Sequence, residues 1–151
     1  MLLAGAPGAP GAPGAPGAPG APGAPGAPGA PGAPDGPAAG FVAAMNAGDP
    51  QAIDHVYEDG AVLVPVPGHP VTGPARLAAN QHLQSFGLPI EARPRHSYVA
   101  GDIALLIVDW SMRGTARDGT EIDMSGTATD VVRRGPDGRW RYVIDNPHGT
   151  A

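Results

Sequence analysis

The spacing of apolar residues changes character along the chain. Between about Pro37 and Ala47, Phe41, Ala44 and Met45 fall at i, i+3 and i+4, which predicts a helix with one apolar face. Asp35 stands at its N-cap and Gly48 at its stop. Asp49-Pro50 opens a second helix, because proline at the first helical position gives up an N–H that has no partner anyway. Ile53, Val56 and Tyr57 form its buried stripe, and Asp59-Gly60 ends it. A third helix runs from about Pro74 to Phe86, with Ala75, Ala79, Leu83 and Phe86 on one face and Gly87 closing it.

Elsewhere the period falls to two, the mark of strands. Ala61 to Val66 is a short apolar run, and Pro65 points to an edge. Ile90 to Val99 alternates, with Pro94 again marking an edge or a bulge. Asp102 to Arg113 and Glu121 to Arg134 are long strands around a turn at Asp118-Gly119. Asp137-Gly138 turns the chain into a last strand, Arg139 to Asn146. Two helices, short strands, a helix and then four long strands in a meander predict an α+β fold. It is a cone-shaped domain of three N-terminal helices packed on a curved, mainly antiparallel sheet, with a cavity between the layers.

Alternation also assigns faces. Ile122, Met124, Gly126, Ala128, Asp130 and Val132 share one side of the longest strand, and mostly polar residues share the other. The first set therefore faces inward, which places the Asp130 carboxyl in an apolar wall. There it needs a hydrogen-bond partner, a cation or its own proton. A structural carboxylate bound by a tyrosine or by backbone N–H groups meets the same need. The neighbouring strand puts Ala104, Leu106, Val108, Trp110 and Met112 on one face. Its other face is also apolar in the middle, so a second subunit is expected to cover it.

Composition divides the chain in two. From Gly5 to Pro34 the triplet Gly-Ala-Pro repeats ten times. Glycine at every third position is the requirement of a collagen triple helix, and the proline favours polyproline II. A disordered or polyproline II tail over 1–34 is the expectation, with a trimerising stalk as the alternative. The domain is then 35–151. It holds nine arginines, no lysine, eleven aspartates and three glutamates, a mildly acidic balance that excludes a basic nucleic-acid-binding face. There is no cysteine, so disulfides, thiolate metal sites and a cysteine nucleophile are excluded. Met1-Leu2-Leu3 has no basic residue before it, and the apolar run ends at Pro7, so no export signal is read. No stretch approaches the ~20 apolar residues of a bilayer span. A cytoplasmic protein is the expectation.

The five histidines show no H-x-H or H-E-x-x-H spacing, so no metal site is expected. No Gly-x-Ser-x-Gly elbow and no phosphate-binding glycine loop occurs, and no cofactor is expected.

Two segments resemble a known superfamily. Phe41-Val42-Ala43-Ala44-Met45-Asn46-Ala47-Gly48-Asp49 resembles the first helix and turn of the nuclear transport factor 2-like proteins, which include ketosteroid isomerases and SnoaL-like polyketide cyclases. Trp140-Arg141-Tyr142-Val143-Ile144-Asp145-Asn146-Pro147 resembles the last strand of the SnoaL-like, ketosteroid-isomerase-like branch. The resemblance covers about Asp35 to Gly149. It implies an apolar cavity and a homodimer joined through the sheet. It also implies three elements of an isomerase site. A tyrosine on the first helix is replaced here by Phe41. An aspartate base near the end of the first short strand is missing from Val64-Pro65-Val66-Pro67. A protonated aspartate in the long strand is matched by Asp130. Standard ketosteroid isomerase activity is therefore not expected, with His69 and His148 as substitutes for the base.

Three readings stand at this point. One is a binding module for a small apolar or amphipathic metabolite. The second is an acid–base isomerase, cyclase or lyase acting through Asp130. The third is a non-catalytic dimerisation domain with a vestigial pocket. Phe41, Tyr57, Trp110 and Met124 are the candidate ligand-binding residues, with Asn146 near the mouth and Asp130 as the neutral proton donor.

Overall fold

The structure is a computed structural model and describes residues 27–151. Nine elements follow one another: α1 (Gly36–Ala47), α2 (Pro50–Asp54), β1 (Tyr57–Val66), β2 (His69–Val71), α3 (Gly73–Ser85), β3 (Ile90–Ala100), β4 (Ile103–Thr115), β5 (Glu121–Arg134) and β6 (Trp140–Asp145). The strands form one curved six-stranded sheet in the order β2-β1-β6-β5-β4-β3. The antiparallel meander from β3 to β6 is present, and β1 lies parallel to β6, so the sheet is mixed. The α+β reading holds.

The helix starts follow local chemistry. Asp49 caps α2, its Oδ1 accepting from the amides of Gln51 and Ala52 at 3.1 Å each. Asp35 precedes α1 but makes no side-chain bond to that helix; its Oδ1 accepts instead from Gly29 N at 2.7 Å. α2 is shorter than the apolar spacing predicts. It ends at Asp54, and Tyr57 opens β1 rather than closing a helical stripe. The reason is tertiary: the Val56 carbonyl accepts from Tyr142 N at 2.8 Å, and Tyr57 pairs with Tyr142. Sheet pairing wins over five residues of helix propensity.

Residues 1–26 lie outside the described residues, and with them the expectation of a disordered, polyproline II or triple-helical tract there. Residues 27–34 take another form. Three successive turns are closed by Ala30 N to Ala27 O, Ala33 N to Ala30 O and Gly36 N to Ala33 O, each 2.9 Å. Polyproline II has no such internal bonds. In the first turn Pro28 and Gly29 occupy the two central positions, and Gly29 has φ +81°, as a type II turn requires. Pro31 O accepts from Trp140 N at 3.1 Å, and Ala33 is buried. The last repeats thus pack on the start of β6.

The core lies between the helices and the inner sheet face. Leu106, Met112 and Val132 of the sheet and Ile53 of α2 are its most deeply buried large side chains. The edge strand β3 slips register between Pro94 and His96, consistent with proline at a bulge. No helix among the described residues is long and apolar enough to cross a membrane.

Candidate functional site

A cavity of about 340 Å³ opens between α1, α3 and the inner sheet face. α1 contributes Phe41 and Val42, α3 contributes Leu83 and Phe86, and the sheet contributes Val108, Trp110, Met124 and Ala128. Polar groups enter this wall as Asn80, Asp130, Asp145 and Tyr142, with His82 and His148 also reaching it.

The alternation of β5 puts Asp130 inward as expected, and the residue is only 2 % exposed. Asp145 reaches the same place by a different device. Val131 and Val132 are consecutive on β5, but their partners on β6 are Ile144 and Tyr142. Val143 is therefore an extra residue, a β-bulge, and beyond it every side chain changes face. Ile144, which alternation from Tyr142 would bury, is exposed, and Asp145 is buried. The register Val131–Ile144 continues to the bond from Thr129 N to Asn146 O (3.0 Å), so Asp130 and Asp145 stand directly opposite each other.

Hydrogen bonds hold each of the two carboxyls. Asn80 Nδ2 donates to the Tyr57 hydroxyl (3.2 Å), which donates to Asp145 Oδ2 (2.5 Å). The Asp145 carboxyl is the charged neighbour of Asp130. The Asn146 amide donates to Asp130 Oδ1 at 2.8 Å. Burial pushes Asp130 well above the carboxylate range, and the neighbouring Asp145 charge pushes it further. Burial also raises Asp145, but donation from Tyr57, the neighbouring Asp130 carboxyl and the charge of Arg76 pull it back. Both carboxyls of the pair are thus held toward the protonated form. Burial and the adjacent Asp145 charge raise Tyr57, so its hydroxyl stays a neutral donor.

Among the residues singled out from the sequence, Phe41, Trp110, Met124 and Asp130 line the cavity. Tyr57 and Asn146 do not. Tyr57 stands behind Asp145 and touches the site through its hydroxyl. The Asn146 side chain bonds to Thr129 Oγ1 (3.0 Å) and to Gly149 O (2.7 Å), leaving its backbone amide to Asp130. His69 is an exposed residue of β2 outside the cavity wall, whereas His148 lines it with Nε2 2.9 Å from Pro65 O. Trp110 Nε1 donates to Pro147 O at 2.8 Å, so residues 146–149 form a strap held at both β4 and β1. Among the described residues no cluster of three or more metal-ligating side chains occurs.

Sequence reasoning did not single out Asp145, Asn80 and Arg76. Arg76 and Asn80 are four apart on α3, a spacing that does place two polar side chains on one helix face.

A helix-backed curved sheet enclosing an apolar cavity with a buried acid defines a class of small α+β domains. Residues 38–143 match the SnoaL-like domain family, and the chain belongs to it. Solved structures share the fold. A conserved protein from Planctomyces limnophilus has a TM-score of 0.65 and 22% identity over 73% of this chain and 88% of that one. A nuclear transport factor 2-like superfamily protein from Salmonella enterica has a TM-score of 0.59 and 17% identity over 77% and 89%. A ketosteroid isomerase-like protein from Erwinia carotovora atroseptica has a TM-score of 0.57 and 20% identity over 74% and 89%. No curated protein matches the chain.

Proposed function

We propose that the cavity binds a small, largely apolar organic metabolite and that Asp130 and Asp145 perform acid–base chemistry on it, as an isomerase, cyclase or lyase. The opposed carboxyl pair in the apolar wall carries this reading. Asp130, protonated, donates to an oxygen of the ligand. Asp145, ionised, accepts a proton from carbon. Two titratable groups whose surroundings separate their protonation states are what such chemistry needs at neutral pH. Phe41 offers no hydroxyl and residues 64–67 no carboxylate, so the reaction differs from standard ketosteroid isomerisation. The same reading pairs two copies of the chain through the outer sheet face, a pairing supported by the exposed Tyr98, Ile103, Leu105 and Ile144 there.

Binding without turnover is the second reading. It is favoured by the bonds from Asn80 to Tyr57, from Tyr57 to Asp145 and from the Asn146 amide to Asp130, which already give both carboxyls a partner. Solvent exchange separates the two. Neutral ketones that bind the full-length chain are incubated with it in deuterium oxide. Deuterium appearing on carbon with the wild type and not with Asp130→Asn supports catalysis. Binding with no exchange in either protein supports the binding module, and no binding by any small apolar probe contradicts both.

A further inference from the structure

Among the described residues, four polar or charged side chains are buried: Arg76, Asn80, Asp130 and Asp145. All four belong to one cluster around Tyr57. Asn80 and Asp145 bond the Tyr57 hydroxyl, and the Arg76 guanidinium lies over the ring face, 4.5 Å from its centroid. We propose that Arg76 is a positioning residue for the carboxyl pair: seated on Tyr57, it supplies the buried positive charge that keeps Asp145 an anion and leaves the shared proton on Asp130. This inference rests on the reading of that pair as the acid and base of the site.

The charge count supports it. Arg76 is 3 % exposed, and a cation so placed needs a counter-charge. Its direct partner Asp54, at 2.9 Å, has a side chain 45 % exposed, so water screens much of that attraction. Two carboxyls sharing one proton carry one negative charge, which balances the one positive charge inside. The remaining contacts of Arg76 are Nη1 to the carbonyls of Glu58 (3.1 Å) and Ala61 (3.0 Å), while its buried Nε has no partner. Pinning two carbonyls needs donors and not a charge. A buried cation with an unpaired N–H is a costly way to do that alone.

The geometry also gives a route. A cation on an aromatic face is held by the ring quadrupole, and its field draws electron density from the hydroxyl toward the ring, strengthening donation from Tyr57 to Asp145. The groups facing Asp145 from the surrounding elements are Tyr57 of β1, Arg76 and Asn80 of α3, Asp130 of β5 and Tyr142 of β6. His82 and His148 border the same cavity. Of the side chains in this group outside the cavity histidines, Arg76 alone carries a positive charge.

The test follows the carboxyl carbons of Asp130 and Asp145 by NMR against pH in the full-length chain labelled with ¹³C-aspartate, for the wild type, Arg76→Gln and Arg76→Lys. The wild type is expected to show one protonated and one ionised carboxyl at neutral pH. In Arg76→Gln the Asp145 midpoint is expected to rise by about one pH unit or more. Arg76→Lys, which keeps the charge and loses the fork, is expected to stay near the wild type. An unchanged midpoint in Arg76→Gln, or a shift in Arg76→Lys as large as in Arg76→Gln, overturns the role of Arg76. If Arg76→Gln does not fold, Arg76→Lys decides, since a clamp for two carbonyls predicts that the split is lost and a charge predicts that it is kept. A wild type with both carboxyls in one protonation state overturns the acid–base pair itself, a result distinct from failure of the Arg76 assignment alone.

Discussion

Asp130 and Asp145 face each other across β5 and β6, and Tyr57 holds the second of them by a 2.5 Å hydrogen bond. Two carboxylates directly opposite on one sheet face repel if both are ionised. Burial, which raises both carboxyls, favours a shared proton that removes this repulsion.

This arrangement sets a pH dependence of stability. The folded-state affinity of Asp130 for its proton is raised, by burial first and by Asp145 second. Its stabilising contribution is then fully present below the unfolded value of about 4 and declines as pH rises toward the folded value. Asp130→Asn removes that decline. Urea unfolding from pH 4 to pH 8 is expected to show the variant gaining on the wild type with rising pH, by up to ~1.4 kcal/mol per pH unit. Exposed carboxylates with the opposite shift, such as Asp109 and Asp118, are common to both proteins and cancel in the difference.

Tyr57→Phe removes a donor to a buried anion and the acceptor of Asn80 Nδ2. The expected loss is about 2–3 kcal/mol in urea unfolding at pH 7. A loss below ~0.5 kcal/mol contradicts a charged acceptor at Asp145.

Gly149 holds the strap with φ +60°, and a Cβ there would meet Thr127 O at 2.5 Å. Gly149→Ala is expected to cost about 1–3 kcal/mol. It also frees the strap from Trp110, which a shift in tryptophan fluorescence reports.

Leu105→Arg places a charge on the exposed outer face of β4. Sedimentation is expected to show a dimer for the wild type and a monomer for the variant. A wild-type monomer contradicts the proposed pairing of copies.

How far this site could be read from the sequence depends on the device that builds each part. Asp130 was legible because β5 alternates without a break through it. Asp145 was not, because the bulge at Val143 reverses the faces of β6, and strict alternation from Trp140 turns Asp145 outward. Arg76 and Asn80 look like the polar side of a helix, and only the packing of α3 shows them buried. Tyr57 continues the apolar stripe of α2 in sequence, yet pairing with Tyr142 draws it into β1. The order of helices and strands was legible because caps and turn glycines punctuate it locally.

The most direct test of the central claim is the infrared difference spectrum between the wild type and Asp130→Asn at neutral pH. The carbonyl stretch of a protonated carboxyl is expected in the wild type and absent from the variant. A difference confined to carboxylate bands would mean that Asp130 is ionised, and would contradict its role as the proton donor.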